Sequence, residues 1–330
     1  MADTDTTEPG IAMPARFIPT PHSVSAEAQA FLSRGLDIAP PQIAVEDKDG
    51  WRAYITAVEA QMVRISGERA KAHPADIAEH RLGNAPLYEV TPHARAADLT
   101  DRAILHIHGG AFIVGGGRSA AHTAQSLAHA TGITSWSVDY RMPPDHPYPA
   151  GLDDAVEAYR FLLERYDPAH LTVEGSSAGA NLAAATILRA RDEGLPLPGA
   201  CVLHTAGVDL THQGDTFQTN AIIDVVLRSQ QDDTIRLYVG DHDPAHPYLS
   251  PVFADLTKGF PPTILLSGTR DLLLSPTVMM HRALRRAGVE AELHVFEAMP
   301  HGGFADSAPE DRERLAETAA FVLRQMRRVS

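Results

Sequence analysis

The chain has 330 residues, 44% of them hydrophobic, with 28 basic against 42 acidic side chains for a formal net charge of -14. That length and apolar content allow one large core with an accessory part and are short for two independent domains. The acidic balance argues against nucleic acid as a partner, the lone Cys201 excludes an intramolecular disulfide, and no apolar run approaches the ~20 residues of a membrane-spanning helix.

In chain order, Met1–Arg16 is polar and acidic, with neither a basic n-region nor an apolar h-region, so no secretory signal is expected and a cytoplasmic protein is the reading. Prolines 9, 14, 19, 21, 40 and 41 surround one short helix, Ser25–Arg34, in what reads as a covering segment. Asp49–Arg69 is an amphipathic helix, with Trp51, Tyr54, Ile55, Val58, Met62 and Ile65 at three- and four-residue spacing. Ile77–Leu82 and Leu87–Thr91 are strands around the turn Gly83-Asn84.

From there strands and helices alternate. Strands are expected at Ala103–Ile107, Thr134–Asp139, Leu171–Glu174, Ala200–Thr205, Thr263–Ser267 and Ala291–Phe296. Helices are expected at Ser119–Ala130, Leu152–Tyr166, Ala178–Arg191, Pro276–Ala287 and Pro309–Arg328. The alternation indicates an α/β fold with a mostly parallel sheet of eight strands covered on both faces. One long insertion breaks the rhythm between Thr205 and Thr263, with a helical candidate around Ser229–Tyr238. Insertions of this length tend to form lids or binding elements. Residues 1–70 and 209–247 are therefore expected to form a cap over a catalytic domain of residues 71–208 and 248–330.

The chemistry-bearing motifs fall at strand ends. Gly175-Ser176-Ser177-Ala178-Gly179 joins a strand to an alanine-rich helix, where a strained nucleophile elbow presents its central residue, Ser177. Ser176, in the second position, points away from the cleft. Serine needs a base, a group to orient the base and donors for the oxyanion. His301 follows the last strand and Asp271 follows the strand before it, so the order Ser177, Asp271, His301 is that of an α/β-hydrolase triad. Each of the two alone has an ordinary explanation as a loop residue; the order gives them weight. His108-Gly109-Gly110-Ala111 follows the strand Ala103–Ile107, and its glycines let backbone N–H groups approach a substrate oxygen. Gly109, Gly110 and Ala178 are the expected donors.

Together these motifs resemble the hormone-sensitive-lipase-like carboxylesterases of the α/β-hydrolase superfamily. Asp139-Tyr140-Arg141-Met142-Pro143-Pro144, His146-Pro147-Tyr148-Pro149-Ala150, Tyr248-Leu249-Ser250-Pro251 and Met299-Pro300-His301-Gly302 are also similar to segments of that family. The resemblance implies an N-terminal helical cap, triad chemistry without cofactor, and esters with short or medium acyl chains. It extends to bacterial proteins described as ε-lactone hydrolases, and amide or carbamate hydrolysis by the same triad is a further alternative. Homodimerisation follows by family analogy alone. The chain departs from the family pattern at Ala111, where a third glycine is usual and a methyl narrows the acyl site. It also departs at Ser176, and at Leu272 and Ser275, where proline and a second carboxylate are usual.

Phe17, Phe31, Phe112, Leu210 and Leu272 are the candidate walls of the substrate pocket. His242, Asp243 and His246 are the tightest histidine cluster, but Pro244 and Pro247 break any helix that could align them, and no metal or nucleotide cofactor is expected. A non-catalytic small-molecule receptor on the same fold is disfavoured because serine, acid and histidine all stand.

Overall fold

The computed structural model describes residues 17–34, 42–227 and 232–328, together with residues 11 and 15. The readings made for Met1–Arg16 therefore lie almost wholly outside the described residues, as does the start of the helix expected from Ser229. Two helices lead in, α1 (Ala26–Arg34) and α2 (Lys48–Ala70), the second started by Asp47, whose carboxylate accepts the Gly50 N–H. The strands are β1 (Ala75–Leu82), β2 (Ala85–Pro92), β3 (Ala103–Ile107), β4 (Thr134–Val138), β5 (Leu171–Ser176), β6 (Ala200–His204), β7 (Thr263–Gly268) and β8 (Ala291–Phe296).

They form an eight-stranded sheet in the order β1-β2-β4-β3-β5-β6-β7-β8. β1 and β2 pair antiparallel, as does β2 with β4, and every pairing from β4 to β8 is parallel. The central strands are buried along their whole length, the expected state of a parallel sheet covered on both faces. Their side chains divide by the two-residue period. Leu105, Ile107, Val173, Cys201 and Leu203 join the core containing residues of α4 (Ala150–Leu163) and α5 (Ala178–Asp192). Ile104, Val202, Ile264 and Leu266 face the other way, onto Leu127 of α3 (Arg118–Thr131) and Phe321, Val322 and Met326 of α9 (Pro309–Arg327).

Order along the sheet reverses around β3, which has β4 on one side and β5 on the other. In open α/β sheets the crevice beyond the strand carboxyl ends at such a switch point is where ligands bind. The loops after β3 and β5 open there, and they carry Gly109 and Ser177.

The long insertion contains α6 (Thr216–Thr219) and α7 (Asp232–Val239); α8 (Leu274–Arg286) follows β7. Leu237 of α7 packs with Trp51 of α2 and with Ile113 and Val114 of the loop after β3. Tyr238 stacks on Phe112, ring centroids 3.9 Å apart and planes 6° from parallel. The two helices thus meet over that loop, whereas α1 lies apart from them. Phe31 of α1 packs edge-on to Phe304 at 5.9 Å, in a cluster with Met299 and Ala308 behind the loop bearing His301. Among the described residues no helix is long and apolar enough to cross a membrane.

Candidate active site

The elbow is built by close approach. A β-carbon on Gly175 would stand 2.2 Å from the Gly179 carbonyl oxygen, and one on Gly179 would stand 2.0 Å from that of Ile107. Larger residues would push α5 off the sheet. Between these glycines Ser177 takes φ 57° and ψ -120°, a conformation costing a non-glycine residue of order 1–3 kcal/mol. Strain of this kind persists only where the surroundings hold it, here α5, β5 and the Ser177 N–H donated to His204 O at 2.9 Å.

Ser177 Oγ lies 2.9 Å from His301 Nε2, and His301 Nδ1 lies 3.0 Å from Asp271 Oδ1. A carboxylate only accepts, so the ring proton sits on Nδ1 and Nε2 is left to accept from the serine hydroxyl. Asp271 is fully buried and also accepts from Ser267 Oγ at 2.6 Å and Leu273 N at 2.9 Å. Burial by itself would disfavour a charged His301. The charge of Asp271, the hydrogen bond to it and the charge of Asp224 outweigh burial and set the imidazole above its ordinary value. A base must be neutral to accept a proton, so activity is lost as pH falls through that raised value. The acid limb of kcat/KM against pH is therefore expected above about 6.5, the ordinary histidine value; a limb below it would contradict this electrostatic balance.

The loop after β3 lies against the elbow. A β-carbon on Gly109 would be 2.7 Å from Ser176 O and 3.4 Å from Ser177 Cβ, so its backbone borders Ser177. Gly110 has φ 120°, and its carbonyl accepts from Ile113 and Val114 N, both at 3.0 Å, to close the turn. Ala178 is the first residue of α5, whose N–H has no acceptor within the helix.

Ala111 and Phe112 also take positive φ, 52° and 66°. The left-handed region explains why glycine suits position 111. The Ala111 methyl packs against the cluster of Trp51, Ile113, Val114 and Leu237, built by α2, α7 and its own loop.

The Asp139-Tyr140-Arg141 segment braces this loop. Tyr140 Oη donates to His108 O at 3.0 Å, its ring stacks on His108 at 4.2 Å, and Arg141 forms a two-pronged ion pair with Asp154. His108 is buried, which pulls its imidazole down to about 3, and the neutral ring donates Nδ1–H to Gly109 O at 2.8 Å.

Two carboxylates invisible to motif reading complete the surroundings. Glu59 of α2 accepts the N–H groups of Gly115 and Gly116 at 2.6 and 3.1 Å, tying the loop after β3 to the helix above it. Glu59→Ala frees that loop, and kcat for p-nitrophenyl butyrate is expected to fall roughly 10-fold, less than the ~100 to 1,000-fold cost of losing an oxyanion donor itself. Steady-state kinetics with a circular-dichroism check of folding decides it; unchanged kcat refutes the anchoring role. Glu174, next to the elbow, is buried with His106 and His204. Its carboxylate pairs with His106 Nδ1 and lies 3.8 Å from His204 Nε2, while His106 Nε2 meets Thr123 Oγ1 at 3.1 Å. Burial would raise Glu174, but His106 above all holds it below the usual carboxylate range.

The five candidate wall residues divide. Phe17 is corrected: it is 88% exposed and forms no pocket wall. Residues 17–20 have no helix or strand, and Arg270 Nη2 donates to Pro19 O at 3.0 Å. Phe31, Phe112, Leu210 and Leu272 are buried, Phe31 against Phe304 and Leu272 against Phe217 and Leu273.

With this geometry in place, comparison with known proteins is decisive. A family model described as α/β hydrolase fold matches residues 104–305. An acetyl-hydrolase of Streptomyces hygroscopicus is 34% identical over 234 residues, covering 69% of this chain and 77% of that protein. A solved esterase superposes with a TM-score of 0.89 at 35% identity, over 96% of this chain and 98% of its own. The chain belongs to the hormone-sensitive-lipase-like esterases of the α/β-hydrolase fold. An esterase solved from the bacterial hormone-sensitive lipase family matches this member at 29% identity with a TM-score of 0.76, covering 92% and 99% of the two chains. In this hormone-sensitive-lipase-like esterase the matched segment runs from β3 through the His301 loop and takes in Ser177, Asp271, His301 and the loop after β3, while Glu59 of α2 lies outside it.

Proposed function

We propose that this carboxylic ester hydrolase works through an acyl-enzyme on Ser177, with Asp271 and His301 as the rest of the triad and the N–H groups of Gly109, Gly110 and Ala178 as the oxyanion hole. The observation that carries the reading is a positive-φ serine whose Oγ is 2.9 Å from an imidazole seated on a buried carboxylate. Ser177 Oγ attacks the ester carbonyl as its proton passes to His301 Nε2. The tetrahedral oxyanion is held by the backbone donors. Collapse expels the alcohol, which takes the proton from His301, and Asp271 steadies the imidazolium throughout. Water then gives a proton to the same nitrogen and attacks the acyl-serine carbonyl, and as the acyl–Oγ bond breaks to release the acid, His301 returns that proton to Ser177 Oγ.

The acyl group is small in this reading, supported by the name acetyl-hydrolase of the Streptomyces relative. Among the described residues of 1–70 and 209–247, α2 and α7 serve as the cap, supported by their meeting over the loop after β3. A cytoplasmic site of action is part of the proposal; the lone Cys201, buried on β6, needs no oxidising compartment.

A fluorophosphonate is expected to label Ser177 at one per chain, mapped by mass spectrometry, with parallel loss of p-nitrophenyl ester hydrolysis. Hydrolysis that survives full exposure to the reagent would count against the acyl-enzyme. In a chain-length panel, acetate and butyrate esters are expected to exceed octanoate in kcat/KM; the reverse order overturns the small-acyl reading.

A further inference from the structure

α6 and the turn that follows it cross the acid loop with three buried polar side chains spaced four apart, Thr216, Asn220 and Asp224. Thr216 Oγ1 donates to Leu272 O at 2.7 Å and accepts Ser275 N at 2.9 Å. Asn220 Nδ2 donates to Asp271 O at 2.8 Å and Thr269 O at 3.2 Å. Asp224, 1% exposed, does something different. Its Oδ1 accepts Val226 N and Leu227 N at 2.9 and 3.1 Å, which fixes its own turn. Its Oδ2 accepts Leu272 N at 2.8 Å, one residue past the triad acid, and both oxygens face the His301 N–H at 3.3 to 3.4 Å.

A single buried carboxylate therefore touches the loops of Asp271 and His301 at once. We infer that Asp224 is a positioning residue of the catalytic machinery, setting the His301 loop against the Asp271 loop and adding a second negative charge beside the imidazolium. The inference rests on the triad proposed above. A purely local role explains the bonds to Val226 and Leu227; it leaves unexplained an anion shared between two loops that sequence separates by some thirty residues. The position where the family usually carries a second carboxylate holds Ser275, whose hydroxyl is instead taken by Thr216 N at 3.0 Å. The charged groups facing His301 are Asp271 through Nδ1 and Asp224 through the backbone N–H, and Asp224 in turn faces Asp271. Neutralising Asp224 makes the imidazolium harder to form, which moves the base's titration to lower pH.

The test compares wild type, Asp224→Asn and Ser177→Ala as full-length proteins, using kcat/KM for p-nitrophenyl butyrate against pH, kcat and KM separately, and melting temperature. Asp224→Asn is expected to shift the acid limb to lower pH and to lower kcat about 10- to 100-fold, the scale on which misplaced reacting groups cost rate, with a smaller change in KM. An acid limb that stays at the wild-type position overturns the inference, whatever happens to melting temperature or kcat. Should Asp224→Asn not fold, Asp224→Ser keeps an acceptor for the turn without the charge and is read by the same limb. Ser177→Ala separates the two levels: if it is inert, the triad stands and the Asp224 result is judged alone, whereas an active Ser177→Ala brings down the triad and the inference with it.

Discussion

Ser177→Ala is expected to lower kcat for p-nitrophenyl acetate or butyrate by roughly 10⁶-fold, the scale seen when a serine nucleophile is removed. The fold should stay intact, because what holds residue 177 in its positive-φ turn is the packing of Gly175 and Gly179 and the backbone bond to His204 O, none of which uses the hydroxyl. Residual rate over water should remain, since the proposed oxyanion donors are backbone groups that the substitution leaves in place. Turnover close to wild type, on protein free of contaminating esterase, would falsify the assignment of Ser177.

Asp271 gives the second large effect, with a distinction between two replacements. Its carboxylate accepts from three donors: His301 Nδ1–H and Leu273 N–H on Oδ1, and Ser267 Oγ–H on Oδ2. Alanine removes the charge and the orienting acceptor together, and kcat is expected to drop roughly 10⁴-fold. Asparagine can keep its carbonyl toward His301 and Leu273 and turn its amide toward Ser267, whose hydroxyl can accept as well as donate. Asp271→Asn should therefore retain the imidazole tautomer, lose only the charge, and be distinctly more active than Asp271→Ala. In Ser267→Ala/Asp271→Asn the amide loses that acceptor, and the advantage of asparagine should shrink. Equal activity of Asp271→Asn and Asp271→Ala would show that the charge, not the hydrogen-bond acceptor, dominates.

Much of the molecule was readable because its signals are local and periodic. β3, apolar but for His106, and the alanine-rich α5 state their burial in their composition, and the strands expected from the sequence overlap the eight observed. Helix ends shift by one to three residues, α4 ending at Leu163 rather than Tyr166, and α3 is closed by Gly132 in the left-handed conformation with its N–H on Ala128 O. The residues Ser177, Asp271 and His301 could be nominated because the fold places its chemistry at strand ends in a fixed chain order.

Glu59 and Asp224 could not be nominated. One is an acidic residue on an otherwise half-exposed helix and the other a carboxylate in a polar loop, and nothing in their neighbours announces which distant N–H groups they will meet. Phe17 failed for the complementary reason. An aromatic near a chain's covering segment suggests a wall, but hydrophobicity reports a preference for burial, and burial also needs a partner surface that sequence does not locate.

Cys201 has a practical consequence. It is the chain's only cysteine, it lies buried on β6 facing the α4 and α5 side, and burial pushes its thiol far above the ordinary range, so little thiolate is available to electrophiles. Iodoacetamide and maleimides should leave the folded enzyme unmodified and active, while exposure of this thiol on unfolding makes the same reagents a direct counter of unfolded molecules. Inhibitor chemistry on this esterase thus starts with its commonest confounder removed: a reagent that inactivates the native protein covalently has reacted somewhere other than sulfur of cysteine.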